Sequence, residues 1–92
     1  MLVFQCVMIT NVGHGTGLQE AELLQACLPH GRVEGVVMVP GMAYCFVVFV
    51  DLVGARSAYQ ALHGQRNPMS TSSVVLYLAY VETGWLLMVH YC

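Results

Sequence analysis

The sequence predicts a small α+β domain whose elements run β-α-β-β-α-β. Three observations predict it. Ninety-two residues, 58% hydrophobic and 9% charged, suit one core rather than two and exclude a disordered chain. Four apolar runs, residues 2–10, 33–39, 44–50 and 74–81, are rich in the branched and aromatic side chains that strands favour. Between the first and second runs, and again between the third and fourth, the apolar spacing changes to that of a helix.

Each element has its own justification. Residues 2–10 read as a strand that Asn11-Val12-Gly13-His14-Gly15-Thr16-Gly17 breaks with turn formers. Residues 18–28 read as a helix with Ala21, Leu24 and Leu28 on one face and Leu18 extending the stripe. Thr16 is placed to cap it, Glu20 and Glu22 suit its first turns, and Pro29-His30-Gly31 stops it. Residues 33–39 form a second strand ended by Pro40-Gly41, and 44–50 a third, antiparallel to it across that turn. Asp51 can cap a second helix, 52–62, with Ala55, Ala58, Tyr59 and Leu62 along one side and His63-Gly64 at its end. A polar loop, 65–73, leads to the fourth strand. This order is the split βαβ of the ferredoxin-like fold. It predicts the sheet order fourth-first-third-second, both helices on one face and the other face open. The expected core is Val7, Ile9, Leu24, Val33, Val36, Cys45, Val47, Phe49, Ala58, Leu62, Leu76 and Leu78.

Charge and cysteine usage narrow the function. The chain has no lysine; Arg32, Arg56 and Arg66 stand against Glu20, Glu22, Glu34, Asp51 and Glu82, a net charge of −2. Affinity for nucleic acid comes largely from cations that release counterions, so RNA binding would be weak without basic surface supplied elsewhere. The uncharged run 35–50 is divided by Pro40-Gly41 and is shorter than the ~18–20 residues that span a bilayer, so no membrane partner is expected. The apolar N-terminus lacks the basic residues of a signal peptide. Cys6, Cys27, Cys45 and Cys92 form no C-x-x-C pair, which points to reduced thiols in an intracellular protein rather than a disulfide framework or a zinc site.

The most informative segment is Met42-Ala43-Tyr44-Cys45-Phe46-Val47-Val48-Phe49. It resembles the central signature of RNA-recognition motifs, basic-Gly-aromatic-small-aromatic-aliphatic-any-aromatic, with Tyr44, Phe46 and Phe49 in the aromatic positions and Met42 in the basic one. Alternation puts Tyr44 and Phe46 on one side and Cys45, Val47 and Phe49 on the other. Two rings would then lie on the open sheet, where unpaired bases stack. Val7-Met8-Ile9-Thr10-Asn11-Val12 matches the second signature of that motif, with Met8 in its aromatic position. On the fourth strand the same alternation turns Tyr77 and Ala79 to the open face. The expected RNA-binding residues are Tyr44, Phe46, Tyr77 and Met8, with Arg32 and Arg66 for phosphates if they face the same side. The alternative is that these residues dock a protein or a neighbouring domain, which the acidic charge, Met42 and Met8 would suit.

Catalysis finds little purchase. Gly13-His14-Gly15-Thr16-Gly17 resembles the glycine turn of S-adenosylmethionine-dependent methyltransferases. Such a site also needs an acidic residue at the end of the next strand, and here that strand ends Val39-Pro40-Gly41. His14, His30, His63 and His90 are scattered, and Asp51 is the sole aspartate. The reading is a non-catalytic chain with no cofactor and no metal.

A specific resemblance runs over about the first eighty residues. Thr10-Asn11-Val12-Gly13-His14-Gly15, Gly31-Arg32-Val33-Glu34-Gly35-Val36-Val37-Met38-Val39-Pro40, Tyr44-Cys45-Phe46-Val47, Arg56-Ser57-Ala58-Tyr59 with Leu62-His63-Gly64, and Leu76-Tyr77-Leu78-Ala79-Tyr80-Val81-Glu82 carry it. The chain resembles the N-terminal RNA-recognition motif of the AlkB-like tRNA wobble-uridine methyltransferase and hydroxylase family. In that family the motif precedes an iron(II)- and 2-oxoglutarate-dependent domain and a methyltransferase domain. The resemblance implies an RNA partner, tRNA in particular, the catalytic domains of a parent enzyme or a partner protein as neighbours, and a cytoplasmic or nuclear place. No catalytic position carries over, so the chain reads as a form truncated before the catalytic domains. Residues 1–82 are the expected domain and 83–92 a divergent apolar tail, whose Trp85, Leu86, Leu87 and Met88 are expected to fold toward the open face or to drive self-association.

Overall fold

The computed structural model describes residues 5–12, 19–66 and 75–82. Its elements are β1 (Cys6–Thr10), α1 (Glu20–Cys27), a 3-10 turn (Leu28–His30), β2 (Val33–Met38), β3 (Tyr44–Phe49), α2 (Leu52–Leu62), β4 (Gln65–Arg66) and β5 (Val75–Val81). The strands form one antiparallel sheet in the order β2-β3-β1-β5-β4. The four long strands have the neighbours that the sequence predicts. Gln65 and Arg66, predicted as loop, instead pair with Leu76 and Val75 as a short edge strand. The glycine turn with Thr16, the loop 67–74 and the tail 83–92 lie outside the described residues, as do residues 1–4.

Alternation sorts the sheet into two faces. On one, Val7, Ile9, Cys45, Val47, Phe49, Leu76 and Leu78 are buried with Leu23, Ala26 and Cys27 of α1 and Ala55, Ala58 and Leu62 of α2. β2 joins this core through Val33, Val36 and Met38. Strict alternation would put Val33 and Val36 on opposite faces. A shift in register against β3 between Val33 and Gly35 inserts one residue, and the bulge turns both inward.

The predicted helix stripe needs correction. In α1 the buried residues are Leu23, Ala26 and Cys27, while Leu24 is half-buried, Ala21 is exposed and Leu28 is 56% exposed. Residues 23, 26 and 27 are spaced i, i+3, i+4 and residues 21, 24 and 28 i, i+3, i+7, so each set makes a helical stripe, with Leu23 and Cys27 one position before Leu24 and Leu28. Both registers satisfy the periodicity, so the sheet beneath decides between them. Pro29 lies within the first two positions of the 3-10 turn that carries Leu28 away from that face.

Local signals elsewhere act as read. The Asp51 carboxylate accepts the Gly54 N–H at 3.0 Å and caps α2. Gly41 has φ 77° and the Met42 N–H reaches the Val39 carbonyl at 3.1 Å, which closes the β2–β3 turn. Asn11 also has a left-handed φ of 66°, a conformation that Asn tolerates better than most residues. Its N–H donates to the Ala43 carbonyl at 2.7 Å and its side-chain amide to the Val75 carbonyl at 2.9 Å. Asn11 therefore ties the exit of β1 to the starts of β3 and β5.

Candidate nucleic-acid interface

The register arranges the face away from the helices in rows. Tyr77, Thr10 and Tyr44 stand side by side on β5, β1 and β3; Ala79, Met8, Phe46 and Val37 form the next row, and Val81, Cys6 and Val48 the third. The Thr10 hydroxyl donates to the Tyr77 carbonyl at 3.1 Å and braces the first row. Across two strand spacings, Tyr44 and Tyr77 are ~10 Å apart at the backbone.

Four predicted contact residues, Met8, Tyr44, Phe46 and Tyr77, share this face, but unequally. Tyr77 is 51% exposed, whereas Phe46 is 1% exposed; Tyr44 and Met8 are half-buried. Phe46 sits with Cys6 and Val48 in a second apolar cluster, against which Met8, Val37, Val39, Tyr44 and Val81 pack. Tyr44 meets its ring edge-on, with centroids 5.8 Å apart and planes at 82°. The expectation of two flat rings lying open side by side is thus corrected. The Phe46 ring is instead removed from water within this cluster.

The arginines also separate. Arg32 precedes β2 and Arg66 lies on β4, the two opposite edges of the sheet, so they cannot grip one phosphate together. Arg66 is opposite Val75, and directly paired residues share a face. It therefore stands at the Tyr77 corner of the open face. Met42, in the basic slot of the signature, is 45% exposed and supplies no charge.

A second aromatic group went unrecognised in the sequence. Tyr59 of α2 stacks on His63 at 4.8 Å and 9° and on Tyr80 at 4.7 Å and 15°, so three rings form a column. His63 in turn stands edge-on to Tyr77 at 6.1 Å and 76°. The Leu78 N–H donates to His63 Nδ1 at 2.9 Å, which fixes the ring and leaves Nε2 as the protonated nitrogen of the neutral form. The Tyr59/His63 spacing of four on a helix was a visible signal; the approach of Tyr80 was not.

The three thiols among the described residues are not poised for nucleophilic chemistry. Burial pushes the thiols of Cys6, Cys27 and Cys45 up to about 12, where they stay protonated and unreactive. Among the described residues no group of three or more His, Cys, Asp or Glu could hold a metal. No helix among them is long and apolar enough to cross a membrane.

Comparison with known proteins decides the family. Residues 7–71 match the model described as the RNA recognition motif. The chain belongs to the RNA recognition motif family. This motif is a binding module and not a catalyst. The antiparallel neighbours of β1 also overturn the methyltransferase-fragment reading, since a doubly wound cofactor site needs parallel strands. Among solved structures, the motif of RNA15 superposes with a TM-score of 0.73 at 22% identity, covering 91% of this chain and 97% of that one. The corresponding domain of S. pombe Puf1 gives 0.69 at 18% identity, covering 84% and 88%. Among curated proteins, the chain is 32% identical over 80 residues to a tRNA (carboxymethyluridine(34)-5-O)-methyltransferase of Xenopus tropicalis and 33% identical over 79 residues to that of Mus musculus. Each match covers 85% of this chain but only 13% and 12% of the relatives' lengths.

Proposed function

We propose that this RNA recognition motif holds an unpaired segment of tRNA as the accessory module of a wobble-uridine modification enzyme. The observation that carries the proposal is the exposed Tyr77 ring beside Tyr44 and Arg66 on the open face of such a motif. The names of the relatives support tRNA as the RNA. Tyr77 and Tyr44 take bases or ribose on their faces, Met8 flanks them with a polarisable thioether, and Arg66 meets a phosphate. Phe46, buried in the next row of the same face, braces Tyr44 edge-on rather than stacking on a base itself, and Arg32 stands at the opposite edge of the sheet, away from the contact. With a net charge of −2, affinity of the isolated domain is weak and steeply salt-dependent only to the extent of the few phosphates neutralised.

The test is a titration of labelled tRNA against the domain at low and moderate salt. Stacking contributes ~1–3 kcal/mol per base by alanine substitution, so Tyr77→Ala should weaken binding by about 5–100-fold. An unchanged affinity removes the stacking model. A second reading, docking to a protein or neighbouring domain, draws on the apolar cluster around Phe46 and on the exposure of Val50, Leu52 and Val53 at 50%, 44% and 71%. Absence of tRNA binding even at low salt favours it.

A further inference from the structure

The open face does not stop at Tyr77. His63 stands edge-on to Tyr77, stacks on Tyr59, and Tyr59 stacks on Tyr80. Tyr77 and Tyr80 are three residues apart on one strand, so their side chains leave opposite faces of the sheet. The four rings therefore wrap round the β5 edge, from the open face to the flank of α2. His63 makes the turn. Its Nδ1 takes the Leu78 N–H, which points off that edge just beyond the end of β4, where Gly64 has already taken the Leu76 carbonyl at 2.7 Å.

We propose that single-stranded RNA leaving the Tyr44–Tyr77 row is carried round this edge, and that a further unpaired base stacks on Tyr80. Tyr59 covers one face of the Tyr80 ring at 4.7 Å. Tyr80 remains 40% exposed, and a base stacked on the side of the ring away from Tyr59 would extend the column. Aromatic stacking holds that ring in place beforehand, so a base arriving there orders little besides itself. Arg66 stands on the Tyr77 corner of the open face, opposite Val75 and ahead of the turn at His63. This inference rests on the RNA-binding reading and extends it to a surface that neither motif signature covers.

The experiment compares a trimer and an octamer of uridylate, bound to the full chain and followed by chemical-shift titration. A trimer can occupy the Tyr44–Tyr77 row; an octamer can also reach Tyr80. Tyr80→Leu should weaken the octamer by about 5–100-fold, the range for removal of one stacking ring, and leave the trimer unchanged. Tyr80→Phe, which keeps the ring, should restore octamer binding. Equal losses for both lengths would show a general disturbance of the fold and overturn the path, as would an octamer affinity indifferent to Tyr80→Leu. If the unaltered chain binds neither oligomer at low salt, the RNA-binding reading itself falls and the path falls with it. If Tyr77→Ala weakens both lengths while Tyr80→Leu weakens neither, only the extension is lost.

Discussion

Substituting Gly31 by alanine tests the joint between the helices and the sheet. Gly31 follows the 3-10 turn in extended backbone, φ 163° and ψ 169°, which any residue adopts. Conformation alone would make alanine favourable there, by about 0.4–1 kcal/mol through the unfolded chain. The added methyl, however, would lie 2.8 Å from the Gly54 Cα and 3.5 Å from the Phe49 ring, when carbon atoms prefer about 3.5–4.0 Å. The obstacle at 2.8 Å is backbone, so α2 must move outward as a body, and with it Ala55 and Ala58 over the buried Phe49. Overpacking of this kind costs about 1–3 kcal/mol. The clash exceeds the conformational gain, leaving a net loss of about 1–2 kcal/mol and a melting temperature about 4–16 °C lower for a domain this size. Urea and thermal unfolding followed by far-ultraviolet circular dichroism read both quantities. A midpoint equal to or above that of the unaltered chain refutes the reasoning. Gly54→Ala supplies a contrast, because its methyl would meet the Phe49 side chain at 2.9 Å. Phe49→Leu should relieve that variant more than Gly31→Ala, whose clash is with backbone.

Phe46→Ala should cost about 3–5 kcal/mol in unfolding measurements, whereas Tyr77→Ala, at an exposed site, should cost less than about 1 kcal/mol. Comparable small losses for both would mean that Phe46 is not part of a packed cluster. Cys6, Cys27 and Cys45 should resist alkylation in the folded chain at pH 8 and react once it is denatured. Their thiols ionise near 9.0 when unfolded and near 12 when folded. Their contribution to stability is therefore complete below pH 9 and declines as pH rises toward 12; a midpoint flat across that window would contradict the burial of these groups. For the tail, a chain ending at Glu82 should bind tRNA more tightly than the whole chain, or associate less in light scattering. Equal affinities from two monodisperse monomers would make residues 83–92 a solvated appendage.

The amino-acid sequence by itself determined whatever depends on near neighbours along the chain. Period-two alternation assigned Tyr44, Phe46 and Tyr77 to one face and Cys45, Val47 and Phe49 to the other. Asp51, Pro40-Gly41 and His63-Gly64 marked element ends because capping and turn geometry span only a few residues. Tertiary structure decided what alternation leaves open. Parity names a face but not what fills it, so the burial of Phe46 among Cys6, Val48 and their neighbours was not readable. Helical spacing allowed two stripes in α1, and contact with the sheet chose Leu23, Ala26 and Cys27. A bulge brought Val33 and Val36 together, and strand order sent Arg32 and Arg66 to opposite edges. The column of Tyr80, Tyr59 and His63 joins residues from α2, its end and β5. Their meeting is a long-range contact, settled only when the helix lies down on the sheet.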